Sequence, residues 1–288
     1  MTAQTFFSLV SCRRVPLEGS RFRGLVGFAL IVIAGTASVQ ASEGEPASEK
    51  TASTEDLREA DNGWTELLAD KNLEDWRIVE KWDFEKHGEI FFKNGILHFE
   101  AGNPFTGVQY NGEKSLPRMN YEIIFEAKRT SGEDFFIGVV FPVGEEYLSF
   151  VAGGWEGTVV GLTNLGGEPA VENESCALMD FQQDHWYTLR LRVSEKWIEL
   201  WIEDEEESRK MIDIDHPRFQ LSLYWEQEPL RPFGISSWRT GSAFRSVRFR
   251  ELEPEELRKI EHLHQREKEK AKQRHHDYRP SVAGDSDN

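Results

Sequence analysis

The chain has 288 residues, with 51 acidic side chains against 34 basic ones and a net charge of −17. That length supports one substantial core with flanking segments. The charge disfavours phosphate backbones and anionic membrane surfaces, so no nucleic-acid partner is expected, while sugars, cations and other proteins remain open as partner classes.

At the N-terminus, Arg13, Arg14, Arg21 and Arg23 precede the apolar run GLVGFALIVIAGT (Gly24 to Thr36), which is followed by Val39-Gln40-Ala41. A basic stretch, an apolar stretch and a small-residue site in that order read as an export signal spanning residues 1–41, cleaved near Ala41. The alternative is an uncleaved membrane anchor at residues 24–36, although that run is shorter than the ~20 residues a spanning helix needs. Cleavage would remove four arginines and Glu18, taking the charge from −17 to −20, and would leave no stable membrane insertion. Leu9 to Cys12 (LVSC) looks like a lipoprotein cleavage site but precedes the apolar run. Cys12 would leave with the signal, so Cys176 is expected to be an unpaired thiol.

Residues 42–62 are Ser, Ala, Glu and Thr with almost nothing apolar, the composition of a disordered acidic linker. From there to about residue 252 the apolar period is two. EIFFKNGILHFE (Glu89 to Glu100) is a hairpin closed by Asn94-Gly95, a type I′ pair, with Ile90 opposite Phe99 and Phe92 opposite Leu97 on the core face. Phe91 and His98 share the other face, so His98 reads as a cross-strand residue rather than a ligand. NYEIIFEAKRT, FFIGVVF, YLSFVAG and GTVVGL follow as strands. Between the last two, Gly153-Gly154-Trp155-Glu156-Gly157 invites positive φ and a close backbone approach.

WYTLRLRVSEKWIELWIED (Trp186 to Asp204) is a second hairpin. A turn centred on Ser194-Glu195 faces Leu189 with Leu200 and Leu191 with Ile198. It sets Arg190 and Arg192 against Glu199 and Trp197 on the outer face, as ordinary cross-strand stabilisers. FQLSLYW, FGISSW and AFRSVRFREL complete about a dozen strands without intervening helices. The expected fold is an all-β sandwich or jelly roll over residues 63–252. Residues 253–279 carry dense mixed charge with Leu257, Ile260 and Leu263, and read as a solvated helix before a polar tail at 280–288. His275 and His276 lack the further ligands of a metal site.

Several of these pieces resemble the secreted bacterial 3-keto-disaccharide hydrolase domains, which have a concanavalin A-like or laminin-G-like jelly roll. They are GWTELLADKNLEDW, GEIFFKNGILHF, DHWYTLRLRVSEKWIELWIED and FGISSWRTGSAFRSVRFREL, in that order over Gly63 to Leu252. Two stretches, GEDFFIGVVF and YLSFVAGGWEGTVVGL, depart from the family pattern. The resemblance implies that an oligosaccharide or 3-keto-sugar is the partner and that cleavage runs by elimination and hydration. A base near C2, an acid at the leaving oxygen and donors or a cation on the ketone oxygen are then required.

Beside the glycine-rich hairpin, Glu156, Glu172 and Glu174 are the carboxylates that fit the acid and base roles. Two of them near carbonyl oxygens would also suit calcium. Trp155, Trp225 and Trp238 offer faces for sugar rings, and Asn164, Asn173 and Arg239 offer polar contacts. Patterns for zinc hydrolysis, a serine nucleophile or a phosphate loop are absent. A non-catalytic lectin-like module and a scaffold docking through the C-terminal helix stand as alternatives.

Overall fold

A computed structural model describes residues 12–14, 63–68, 73–204 and 207–277, with side chains as far as 274. The apolar run at 24–36, the Ala41 site, the linker at 42–62 and the tail at 280–288 lie outside the described residues.

Sixteen strands are described: β1 (Arg13–Arg14), β2 (Thr65–Glu66), β3 (Trp76–Ile78), β4 (Ile90–Lys93), β5 (Ile96–Phe99), β6 (Phe105–Tyr110), β7 (Tyr121–Ser131) and β8 (Ile137–Val143). The remainder are β9 (Glu146–Gly153), β10 (Val159–Thr163), β11 (Ala177–Leu178), β12 (Tyr187–Val193), β13 (Trp197–Glu203), β14 (Ser208–Asp215), β15 (Gly234–Trp238) and β16 (Gly241–Glu251). They form two sheets, one ordered β1-β11-β10-β9-β8-β15-β6-β3 and the other β14-β13-β12-β7-β16-β5-β4, with β2 also on β16. Neighbouring strands run antiparallel except β1 beside β11. The result is the expected jelly-roll sandwich with a helix, Pro254–Asp277, after the last strand. Among the described residues no helix is long and apolar enough to cross a membrane.

Alternation along the strands builds the core. Ile123, Phe125 and Ala127 of β7 and Leu189, Leu191 and Val193 of β12 meet Val139, Phe141, Leu148 and Phe150 of the facing sheet, all essentially inaccessible to solvent. The first hairpin has its expected register, with Ile90 opposite Phe99 and Phe92 opposite Leu97. Asn94 and Gly95 both have positive φ, as a type I′ turn demands. Phe91 and His98 stack on the outer face with ring centroids 5.0 Å apart.

The second hairpin corrects the expected register. Leu191 faces Leu200, Arg192 faces Glu199 and Arg190 faces Trp201, because the turn is centred one residue later, between Glu195 and Lys196. Moving the centre by one residue slides the pairing by two, so each side chain keeps its face. Arg190, Arg192 and Lys210 all lie over Trp201, which makes this tryptophan an outer-face stabiliser. FQLSLYW is also not a full strand; it is an extended connector with a single bridge, Leu221 to Leu165.

The expectation of an unpaired Cys176 belongs to a chain cleaved near Ala41 and does not hold for the uncleaved chain. Cys12 and Cys176 form a disulfide 164 residues apart in sequence, and β1 just after Cys12 pairs in parallel with β11 just after Cys176. A chain cleaved near Ala41 would lack Cys12 and leave Cys176 unpaired. In the intact chain, residues 12–14 are the edge of a sheet.

The outer face of the first sheet is not bare. Phe105, Val140, Val151 and Val159 point outward and gather Val79, Phe84, Ala170, Leu223 and Leu230 into a second apolar cluster. These covering residues arrive on, or a few residues before, the 3-10 turns Trp82–Phe84 and Trp225–Leu230, and on the loop before Cys176. Gly107 is required here, since a Cβ would come within 2.8 Å of the Phe84 ring. Where this covering stops, a cleft remains.

Candidate functional site

The cleft has a volume of about 400 Å³. Phe105, Phe135, Val151, Trp155, Pro169 and Trp238 form its apolar lining, and Asp134, Thr163, Tyr224, Glu226 and Gln227 its polar lining. A concave apolar surface with a few convergent polar groups is the usual form of a small-molecule site.

Each wall has a local cause. Trp155 projects from a single turn, Gly154–Gly157, in which it and Glu156 take φ of 45° and 65°. Such values are uncommon outside glycine and are held only where the surroundings over-determine them. Gly153 and Gly157 on either side also have positive φ. Beneath the turn, the Arg129 guanidinium of β7 donates to the carbonyl oxygens of Gly153 (3.4 Å) and Gly157 (3.1 Å) and lies over the Phe136 ring. Burial pulls the Arg129 pKa down, while Tyr187, Asp134 and Glu133 act in the opposite direction.

Trp238, at the end of β15, meets Phe105 edge-on, with centroids 4.6 Å apart. Asp134 and Phe135 close the turn from β7 to β8. The Asp134 amide donates to Thr240 Oγ1, and an Asp134 carboxylate oxygen accepts from the Phe135 amide at 2.7 Å. The third wall is the turn Trp225–Leu230. Gln227 is buried and its Oε1 accepts from Ser149 Oγ at 2.6 Å, which fixes the turn on β9. Tyr224 hydrogen-bonds to Thr163. Burial raises its pKa and the Thr163 bond opposes this, while the carboxylates of Glu172, Glu168 and Glu226 raise it further.

Of the residues singled out in the sequence, the structure brings Trp155 and Trp238 together in the cleft lining. Trp225 is exposed, between the lining residues Tyr224 and Glu226 in sequence, and Arg239 is exposed with its guanidinium over the Trp238 ring. Glu156 is exposed at the hairpin tip, and Glu172 approaches from the Tyr224 side. Glu174 lies away from the cleft, paired with Arg218.

Asn173 and Asn164 serve the framework. The Asn173 amide nitrogen donates to the carbonyls of Leu162, Glu168 and Pro169, and its oxygen accepts from the Ser175 amide and hydroxyl. Asn164 donates to Ser222 Oγ at 2.7 Å. Sequence reasoning missed Asp134, Tyr224, Glu226 and Gln227. Only the adjacency of three of them to Trp225 hinted at a role, and in so acidic a chain a carboxylate is not informative by itself.

The calcium expectation finds no cluster at Glu156, Glu172 and Glu174. Among the described residues, metal-capable side chains converge in one place, at Glu199 and Asp213 of the opposite sheet and His264 of the C-terminal helix. There Lys210 already supplies a cation, its Nζ 2.8 Å from Glu199 and 3.4 Å from Asp213.

An aromatic, acid-lined cleft on the outer face of a jelly-roll sandwich fits a carbohydrate-active domain. Residues 63–250 match the 3-keto-alpha-glucoside-1,2-lyase-like domain, and the chain belongs to that family. No curated protein matches the sequence. Similar solved structures include a glycosyl hydrolase-like protein of Parabacteroides distasonis, at 11% identity over 68% of this chain and 97% of that one, with a TM-score of 0.41. Carbohydrate-binding module CBM66 of Bacillus subtilis is 11% identical over 61% of this chain and 95% of its own, with a TM-score of 0.39. The exoplasmic domain of VIP36, in a form bound to calcium and mannose, is 13% identical over 62% and 83%, with a TM-score of 0.42. These are likenesses of fold.

Proposed function

We propose that the cleft binds a 3-keto-glycoside and cleaves it by elimination followed by hydration, with Asp134 and Glu226 as the acid and base. The observation that carries this reading is that both carboxylates line the same aromatic cleft as Trp155 and Trp238. Indole faces suit the C–H surfaces of a sugar ring, and the Tyr224, Thr163 and Gln227 side chains suit its hydroxyls.

The chemistry follows from the ketone. A carbonyl at C3 acidifies the C2 proton, which one carboxylate removes. The C2–H electron pair becomes a C1=C2 double bond as the C1–O bond breaks, and the leaving oxygen takes a proton from the other carboxyl group. Water then adds across the double bond, with hydroxyl to C1 and a proton to C2, and the 3-keto-sugar is released. A positioned acid or base contributes about 10²–10⁴-fold to such a step.

The test is incubation of the protein with 3-keto-trehalose or a 3-keto-glucoside in deuterated water, with and without calcium or a chelator. Release of the leaving sugar together with a 3-keto-sugar that carries deuterium at C2 is expected. Release without deuterium would point to direct hydrolysis. Binding without turnover would make this a binding module, the reading favoured by the exposed Trp155 face. A scaffold would do neither and would lose a partner when residues after 253 are removed.

A further inference from the structure

Trp82 and Trp225 lie outside the cleft lining. They are the most exposed aromatic side chains among the described residues, at 47% and 56%. Their ring centroids are 5.4 Å apart and the planes are inclined by 63°. Two separate segments deliver them, and each segment is anchored from below. Phe84, two residues after Trp82, is fully buried and stacks on Phe105 at 4.7 Å. Gln227, two residues after Trp225, is held by Ser149. Trp82 itself takes φ of 56°, a conformation that costs free energy. Two exposed indoles held this firmly expose apolar surface that packing on a ligand would remove from water.

The pair is continuous with the cleft, because Trp225 sits between Tyr224 and Glu226, both of which line it. We infer that Trp82 and Trp225 form a second sugar subsite, which grips a unit projecting from the cleft, so that the ligand class is an oligosaccharide chain rather than a single ring. This rests on the reading of the cleft as a sugar site. The edge-on arrangement leaves a face of one ring free to stack while the other ring closes the side.

The experiment measures affinity, by tryptophan fluorescence or calorimetry, for ladders of gluco- and mannooligosaccharides from one to six units. For the intact chain the affinity for four or more units is expected to exceed that for one unit by about tenfold, equivalent to ~1.4 kcal/mol. In a W82A/W225A double variant that ratio falls to about one, whereas the W82F/W225F variant retains a good part of it. Trp155→Ala weakens binding at every length. A tenfold ratio that survives in the double alanine variant, or an intact chain that gains nothing beyond the first unit, would overturn the subsite and leave the cleft reading in place. An intact chain that binds no member of either ladder would also overturn the subsite, while the cleft reading stands or falls on turnover of the 3-keto-glycoside.

Discussion

Arg129, on one sheet of the sandwich, donates a hydrogen bond to the carbonyl of Gly157, 28 residues away in the turn between β9 and β10 of the other sheet, and so holds the turn that carries Trp155. Arg129→Met keeps much of the packing but leaves the Gly153 and Gly157 carbonyls without their donor. Stranding a buried polar group costs about 1–3 kcal/mol, or roughly 2–12 °C in melting temperature for a domain of this size. Calorimetry should show that loss, and sugar affinity should drop about tenfold as Trp155 loses its position. Unchanged affinity in a destabilised variant would mean that the turn holds its shape without the arginine.

The lining of the cleft includes carboxylates and no basic side chain. Neutral sugars and amino sugars are therefore expected to bind better than uronic acids of the same stereochemistry, and the gap should narrow as salt is added. Asp134→Asn and Glu226→Gln should each reduce the gap while lowering turnover by about 10²–10⁴-fold. Paired affinity and rate measurements check both effects.

Glu199 is 1% exposed on β13, among Arg192, Lys210 and His264 of the C-terminal helix. Burial alone would raise its pKa, but the His264 hydrogen bond, Arg192 and Lys210 outweigh it and bring the value down to about 2. A carboxylate depressed in the folded state stabilises above its unfolded pKa, near 4.5, and the contribution disappears as pH falls towards 2. An isolated shift of this size is worth about 3 kcal/mol. Asp213, whose pKa burial raises against the pull of Lys210 and His264, titrates in the opposite sense and cancels part of it. Denaturant melts between pH 5 and 2 should therefore show a steeper loss for the wild type than for Glu199→Gln.

The Cys12–Cys176 disulfide closes a long loop, and the chain-entropy account assigns about 5 kcal/mol to a loop of this length. Reduction should lower the melting temperature of the intact chain, which has no free cysteine. A chain beginning at residue 42 should titrate one thiol and melt at a temperature insensitive to reductant. Thiol titration of protein recovered from the native host distinguishes the retained N-terminus from a cleaved one.

The hairpin at Asn94-Gly95 was legible because its turn chemistry and its alternation are both local. For the same reason the two faces of the Trp186–Asp204 hairpin could be assigned, though its register could not, since Ser194 to Trp197 offers no residue pair that selects one turn. A two-residue period repeated over about a dozen segments was enough to define an all-β sandwich. The cleft was a different matter. Glycines mark Trp155 and a strand end marks Trp238, but Asp134, Tyr224 and Glu226 come from segments up to 92 residues apart, and beyond the nearness of two of them to Trp225 nothing local marks them. The covering turns that leave the cleft open, the arginine beneath Trp155 and the disulfide from Cys12 are all long-range contacts. Alternation along a strand records which face is buried, whereas a site is made by which segments meet, and only the packed chain decides that.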